Sequence, residues 1–349
     1  MAKLKDIAER VGVSISTVSR VMKNDSNRSV SDETRKKIWE TAEQLGYRTN
    51  RVPKTKRNDS KSSYHIACVV AIPQNKYNNP YFSVILEGIE KALALAGMRL
   101  EFVYSLEKET DVEALRSLVK EHRIDGMLVV ERIDSEAYQW IKANVRSVVG
   151  VDLSDKDVPV VSYDREAAAK EAVQHLIEQG HREIGYIGGS ELDDDFRDEK
   201  RFLGYQSAMK EAGLPIYDHW VIDVKWDVAL SYELTKQAFE KDDHSPTAIF
   251  AASDMMAIAA MRAATERELK IPDDIAFFGV DNIEISEFTS PPLSTIHVPK
   301  LEMGMFAVKL LLDYLENQYT IPVKMIIPYK CLLRHSTRSK IVRELESSK

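Results

Sequence analysis

The sequence predicts a small all-α helix-turn-helix headpiece, a polar linker, and an α/β body of two doubly wound parallel-sheet lobes. Three observations carry that prediction. Short helical segments around a glycine-centred turn open the chain, a stretch nearly free of apolar residues follows, and from Tyr64 onward β-branched runs alternate with helical periodicity. At 349 residues with 44% hydrophobic side chains, the chain exceeds what one core organises, so two or three compact units are expected.

In the head, Lys5 to Arg10 reads as a helix with Ile7 and Ala8 turned inward. Val11-Gly12-Val13 breaks it, with glycine where a tight interhelical turn needs positive φ. Ser14 caps a second helix, about Ile15 to Met22, with Val18 and Val21 inward and Ile15, Ser16, Thr17, Ser19 and Arg20 largely outward. Small hydroxyl residues near the start of an exposed helix enter a major groove without clashing and aim the positive helix end at phosphate. Ser31, then Asp32 and Glu33, start a third helix carrying Thr34, Ile38, Ala42 and Leu45 at helical spacing. A plain three-helix bundle without a nucleic-acid partner is the alternative for this pattern.

The head spans residues 1–48, the linker 49–63 and the body 64–340, leaving 341–349 as a tail. Charge follows this division. The net charge of −7 conceals a basic segment, 1–63, with 15 Lys+Arg against 8 Asp+Glu, on an acidic remainder with 33 against 47. That asymmetry suits a module held against phosphate and a body that stays off it.

In the body, the strand Ile66–Ile72 precedes a helix with Phe82, Ile85, Leu86, Ile89 and Leu93 on one face. Arg99–Tyr104, Gly126–Val130 and Val145–Val151 continue a first sheet, and after Tyr163 the cycle restarts with a helix from Glu166 to Gln179. Strand Ile184–Gly188, a helix near Leu203–Ala212, strand Ala248–Ala252, helix Met255–Arg267 and strand Ile275–Val280 make the second sheet. The apolar helix Lys300–Asn317 returns the chain to the first lobe, which gives lobe 1 as about 64–163 and 296–328 and lobe 2 as about 164–295 and 329–340.

No apolar run approaches the roughly 20 residues that span a bilayer, and the start has no apolar signal core, so a cytoplasmic protein without a membrane partner is expected. Cys68 and Cys331 have no CxxC spacing and read as ordinary buried thiols; neither a disulfide, a metal site nor a cofactor is expected.

The head's Leu4-Lys5-Asp6-Ile7-Ala8, Val11-Gly12-Val13-Ser14, Thr17-Val18-Ser19-Arg20-Val21, Val30-Ser31, Thr34-Arg35 and Leu45-Gly46-Tyr47 resemble the headpiece of the lac repressor and galactose repressor family. Dispersed markers extend the resemblance over the body, among them Asn79-Pro80-Tyr81-Phe82, Ile124-Asp125-Gly126, Gly180-His181-Arg182-Glu183-Ile184, Ser253-Asp254, Gly279-Val280-Asp281 and Pro291-Pro292-Leu293-Ser294-Thr295-Ile296. The resemblance implies a periplasmic-binding-protein-like body, double-stranded operator DNA as partner, and a sugar effector between the lobes; a homodimer is expected because one head with a short recognition helix contacts few base pairs. The run Ser14 to Ser19 with Asp25 is similar to a branch controlling galactoside and oligosaccharide use.

By the same resemblance Ile15, Ser16 and Arg20 take base-reading positions, and Ser14, Thr17, Asn24 and Tyr47 contact phosphate or buttress the helix. Members of the family form a hinge helix whose alanine and leucine wedge into the minor groove. Here Pro53 and Lys56 stand near those positions, so Arg51, Lys54, Lys56 and Arg57 are expected to hold DNA electrostatically.

Ligands of open α/β sheets sit beyond the carboxyl ends of strands, which in a two-lobed body is the cleft between lobes. On that logic Tyr81 and Phe82 are stacking candidates, Asp281, Ser253 and Asp152 are hydrogen-bonding candidates, and Trp226 is an exposed-looking platform. Arg201, three residues before Gly204, takes the family's ligand-binding arginine position, its fork binding two hydroxyls. Core packing of the aromatics and a surface ion pair for Arg201 are the alternatives.

Catalysis has no display: Gly185-Tyr186-Ile187-Gly188-Gly189 has the wrong spacing for a dinucleotide loop, no GxSxG, HExxH or Walker motif occurs, and Asp193-Asp194-Asp195 reads as a solvated loop. A solute receptor, opposed by the DNA-binding head and the missing signal peptide, and a regulator whose body only dimerises are the remaining alternatives.

Overall fold

The computed structural model describes residues 4–23, 30–44, 64–71, 79–106, 111–189, 196–241 and 245–337. The linker and tail lie outside them, as do Asn24, Tyr47, Arg51, Lys54, Lys56, Arg57 and the acidic run at 193–195. Contacts divide the chain into two compact units, Met1–Ser62 and Ser63–Lys349.

In the first unit α1 (Leu4–Val11), α2 (Ile15–Lys23) and α3 (Asp32–Gln44) enclose one small core of Ile7, Ala8, Val18, Val21, Ile38 and Ala42. Gly12 adopts φ +75°, which lets α1 turn sharply into α2. Ser14 and Ser31 cap the next two helices, accepting from the Thr17 and Thr34 amides at 3.1 and 3.3 Å.

The second unit begins with β1 (Ile66–Val70), α4 (Pro80–Leu95), β2 (Leu100–Ser105), α5 (Asp111–Glu121), β3 (Gly126–Val130), α6 (Ser135–Asn144), β4 (Ser147–Val151) and β5 (Val160–Ser162). A second series follows: α7 (Arg165–Glu178), β6 (Ile184–Gly188), α8 (Lys200–Glu211), β7 (Val221–Asp223), α9 (Val228–Lys241), β8 (Ala248–Ala251), α10 (Asp254–Glu266), β9 (Ala276–Asp281) and β10 (Ser294–His297). The chain then adds α11 (Lys300–Leu315) and β11 (Lys324–Ile326) to the first lobe and β12 (Lys330–Leu332) to the second.

The sheets are ordered β2-β1-β3-β4-β5-β11 and β7-β6-β8-β9-β10-β12, the same winding twice. All five residues of β1 are buried because helices cover both faces: Ile66, Cys68 and Val70 join one core, Ala67 and Val69 another. α11 packs on α4 so closely that a Cβ on Gly88 would strike the Leu301 carbonyl, and one on Gly304 the Ile85 carbonyl. Among the described residues no helix is long and apolar enough to cross a membrane.

Several expectations need correction. The second sheet is not wholly parallel, since β12 pairs antiparallel with β10. β10 runs to His297 in the second sheet, so the return to lobe 1 follows that residue rather than residue 296. Val145 ends α6, its amide bonding Ile141, and β4 starts only at Ser147. Strands β5, β7, β10, β11 and β12 and helices α5, α6 and α9 were not read from sequence; strands of three or four residues show too few alternations to stand out. Cys68 is buried but Cys331 is only half-buried.

Candidate functional site

At the start of α2, Ser14, Ile15 and Ser16 are exposed, and Ile15 keeps 49% of its surface in contact with solvent. Thr17 is half-buried, its hydroxyl 2.8 Å from that of Ser14, which also lies 2.8 Å from the Ser16 hydroxyl. Ser14 and Thr17 thus brace the helix start, and Ile15 and Ser16 present the outer face. Arg20 lies in α2, its side chain outside what the structure describes.

A cavity of about 980 Å³ opens between the two lobes at the carboxyl ends of both sheets. Tyr81, Phe82, Asp152, Arg201, Trp226, Ser253 and Asp281 all line it. Local sequence explains their placement. Asn79 caps α4, accepting from the Tyr81 amide at 3.0 Å, with Pro80 opening the helix. Asp164 caps α7 and so sets Arg165, while Glu199 caps α8 and accepts from the Arg201 amide at 2.8 Å. Glu131, Asp152, Trp226 and Asp281 have left-handed φ of 62°, 57°, 57° and 110°. Such strain at or shortly beyond strand ends, on four cavity residues from both lobes, is characteristic of sites where geometry is held for function.

A charged network forms the floor. Arg165, from lobe 2, reaches into lobe 1, donating to Glu131 and lying 3.2 Å from the Asp152 carboxylate. The Tyr81 hydroxyl donates to Asp152 and lies 3.2 Å from Glu131. Burial holds the Glu131 carboxyl above its ordinary range against the pull of Arg165.

Opposite, the Arg201 Nε donates to the Tyr163 hydroxyl at 3.3 Å, and the guanidinium lies over the Trp226 ring at 4.7 Å. Its Nη1 and the Asp152 Oδ1 are buried with no hydrogen-bond partner among the described residues. Burial pushes the Asp281 carboxyl up to about 6, with Lys300 and Arg201 opposing. Behind it, Asp254 is pushed up to about 8 by burial and by Asp281, although the Thr295 hydroxyl and Ile283 amide bond it at 2.6 and 2.9 Å.

Some expected roles change. Tyr81 and Phe82 are 7% and 6% exposed and pack edge to face at 5.1 Å, so they wall the cavity instead of offering open faces. Trp226 is half-buried beneath Arg201. The Arg201 fork is partly engaged by the protein, and the Ser253 oxygen caps α10 by accepting from the Met256 amide at 3.3 Å. Sequence reasoning missed Glu131, Arg165, Glu199 and Asp254. Glu131 directly follows β3, so the strand-end rule that found Asp152 and Asp281 applied equally to it.

Residues 3–50 match the sequence family of bacterial regulatory proteins, lacI family, and residues 173–337 match the periplasmic binding protein-like domain. The HTH-type transcriptional repressor MelR of Bacillus subtilis (strain 168) is 33% identical over 96% of this chain and 97% of its own. This chain belongs to the lacI family. As a lacI-family member it is a regulatory protein with a helix-turn-helix DNA-binding head. Catabolite control protein A of Priestia megaterium is 30% identical over 95% of this chain and 98% of its own. Among solved structures, the complex of the transcriptional regulator CelR with cellobiose superposes with a TM-score of 0.71 at 26% identity, covering 96% of this chain and all of the other. The lac repressor dimer bound to operator gives 0.68 at 25% identity, covering 96% and 99%. These lacI-family relatives are transcription regulators rather than enzymes.

Proposed function

We propose that this protein is a homodimeric repressor of carbohydrate-use genes whose operator affinity is set by a sugar bound between the lobes. The observation that carries the reading is the pair of unpartnered buried atoms, Arg201 Nη1 and Asp152 Oδ1, lining one cavity from opposite lobes. Buried polar groups without partners are costly, and a polyhydroxyl ligand that donates to the carboxylate and accepts from the guanidinium removes both costs at once. A ligand touching both lobes has different affinity for their different arrangements, which is what a regulator requires. A relative solved with cellobiose and a further regulator solved with ribose support the sugar assignment.

In the head, Ile15, Ser16 and Arg20 read base edges, with Ser14, Thr17, Asn24 and Tyr47 supporting the helix or meeting phosphate. Arg51, Lys54, Lys56 and Arg57 hold DNA electrostatically. Thermal denaturation of the full chain against a panel of neutral saccharides tests the cavity, because a ligand bound only by the native state raises the midpoint. The same saccharide should change affinity for a DNA fragment selected by the protein from a random pool. Binding of no saccharide, with the DNA affinity unmoved, would favour a body that serves only as a dimerisation scaffold.

A further inference from the structure

We infer that the cavity has two subsites and is built for a neutral saccharide of at least two rings, an inference that rests on the sugar reading above. Its volume, about 980 Å³, lies at the upper end of small-molecule sites. A single pyranose displaces roughly the volume of six waters, about 180 Å³, and leaves most of that space unfilled.

The wall is graded in depth. Glu131, Asp152, Arg201 and Asp281 are between 4% and 8% exposed and make an inner polar ring. Beyond them lies a second cluster supplied by α6 and the segment after β4. Ser135, Tyr138, Gln139 and Lys142 follow the helical repeat of one face and all line the cavity, whereas Ala137 and Ile141 turn into the core. The Asp134 cap starts this helix beside the carboxyl end of β3, so its first two turns border the cleft.

This outer cluster is preorganised. Asp155 accepts from the Tyr138 hydroxyl at 2.9 Å and from Lys142 at 2.7 Å, and the Lys142 ammonium lies 5.4 Å from the Tyr138 ring centroid. A half-buried aromatic face with a fixed polar rim matches a sugar ring, which offers a C–H face for stacking and hydroxyls at its edge. The Tyr138 and Lys142 bonds both end on Asp155, whereas Tyr81 and Arg165 bond Glu131 and Arg201 bonds Tyr163, so the outer cluster and the inner ring are separate stations.

Charge sets the ligand class. Among the described lining residues, seven carboxylates face six Lys and Arg side chains, and the buried Arg165 is already engaged by Glu131 and Asp152. The lining thus carries no net positive charge to favour a phosphorylated or acidic sugar, whereas neutral hydroxyls find donors and acceptors of both kinds.

The test is calorimetric titration of the full chain with glucose, galactose, glucose 6-phosphate, and disaccharides of the two hexoses joined through 1,4 and 1,6 linkages. At least one disaccharide should bind about tenfold or more tightly than either constituent, and Tyr138→Ala should erase that advantage while leaving hexose affinity within about twofold. Tyr138→Phe, which keeps the ring, should retain most of it, and a parent-like melting curve shows that the variants fold. Hexoses binding as tightly as every disaccharide, or Tyr138→Ala weakening both alike, overturns the outer subsite while leaving the sugar reading standing. Preference for glucose 6-phosphate overturns the neutral class, and no binding by any member overturns both readings together.

Discussion

Arg165, the first residue of a lobe 2 helix, lies 3.2 Å from the carboxylate of Asp152, which follows a lobe 1 strand. The pair ties the lobes at the floor of the cleft, and Glu131 shares the same guanidinium. Breaking a buried pair from one side leaves the other charge uncompensated. Arg165→Met should therefore destabilise the body by about 3–5 kcal/mol in urea denaturation, more than the loss of a surface ion pair. A loss under about 1 kcal/mol would show that water already screens the two carboxylates.

Asp254 gives stability a pH dependence. Its folded value of about 8 lies above the roughly 3.9 of an unfolded aspartate, so the native state holds this proton more tightly. The contribution is fully present below about pH 4 and is lost as pH rises through about 8. Asp281 adds a smaller decline that ends near about 6. Urea midpoints should fall across this window by an amount on the order of a few kcal/mol in stability, and Asp254→Asn should flatten the curve. A parent curve that stays level would mean that Asp254 is ionised when folded.

Arg201 and Asp281 act on coupling. Arg201→Ala and Asp281→Ala should leave operator affinity nearly unchanged and abolish the response to saccharide, since neither residue belongs to the DNA-binding unit. Fluorescence anisotropy on labelled DNA, with and without the saccharide found by thermal denaturation, separates the two effects. Equal loss of both would place these residues in the dimer's stability instead.

The recognition helix is tested through its exposed positions. Exchanging Ile15 and Ser16 should change the preferred half-site, and Arg20→Ala should weaken operator binding by about 1–3 kcal/mol. Selection from a random DNA pool reads the preference directly. An unchanged consensus in the exchanged protein would move base reading to other residues.

Gly88 tests the contact between α4 and α11. Any side chain there meets the Leu301 backbone, which cannot move as a flexible side chain would. Gly88→Ala should cost about 1–3 kcal/mol or more of stability, read by thermal denaturation, with the isolated headpiece fold unaffected. A neutral outcome would show that the two helices slide apart freely.

Local patterns made the head legible. Ser14, Gly12 and Ser31 act within a few residues of themselves, so capping and turn chemistry identify them without tertiary information. The same holds for strand ends: Asp152 follows one apolar strand and Asp281 ends another, and in a doubly wound sheet that position alone leads to the cleft. What those residues do there was not legible. Whether Tyr81 offers its face or its hydroxyl, and whether Arg201 is open or stacked on Trp226, depends on partners tens of residues away. Nothing local singles out Arg165, because the carboxylates it joins, Glu131 and Asp152, follow two strands of the other lobe. The sequence by itself determined the helix starts of the head and the strand ends at Asp152 and Asp281, since these follow from nearest-neighbour periodicity and capping. Only the tertiary structure decided which of them meet, because sheet order and the three crossings between lobes set distances that no local pattern encodes.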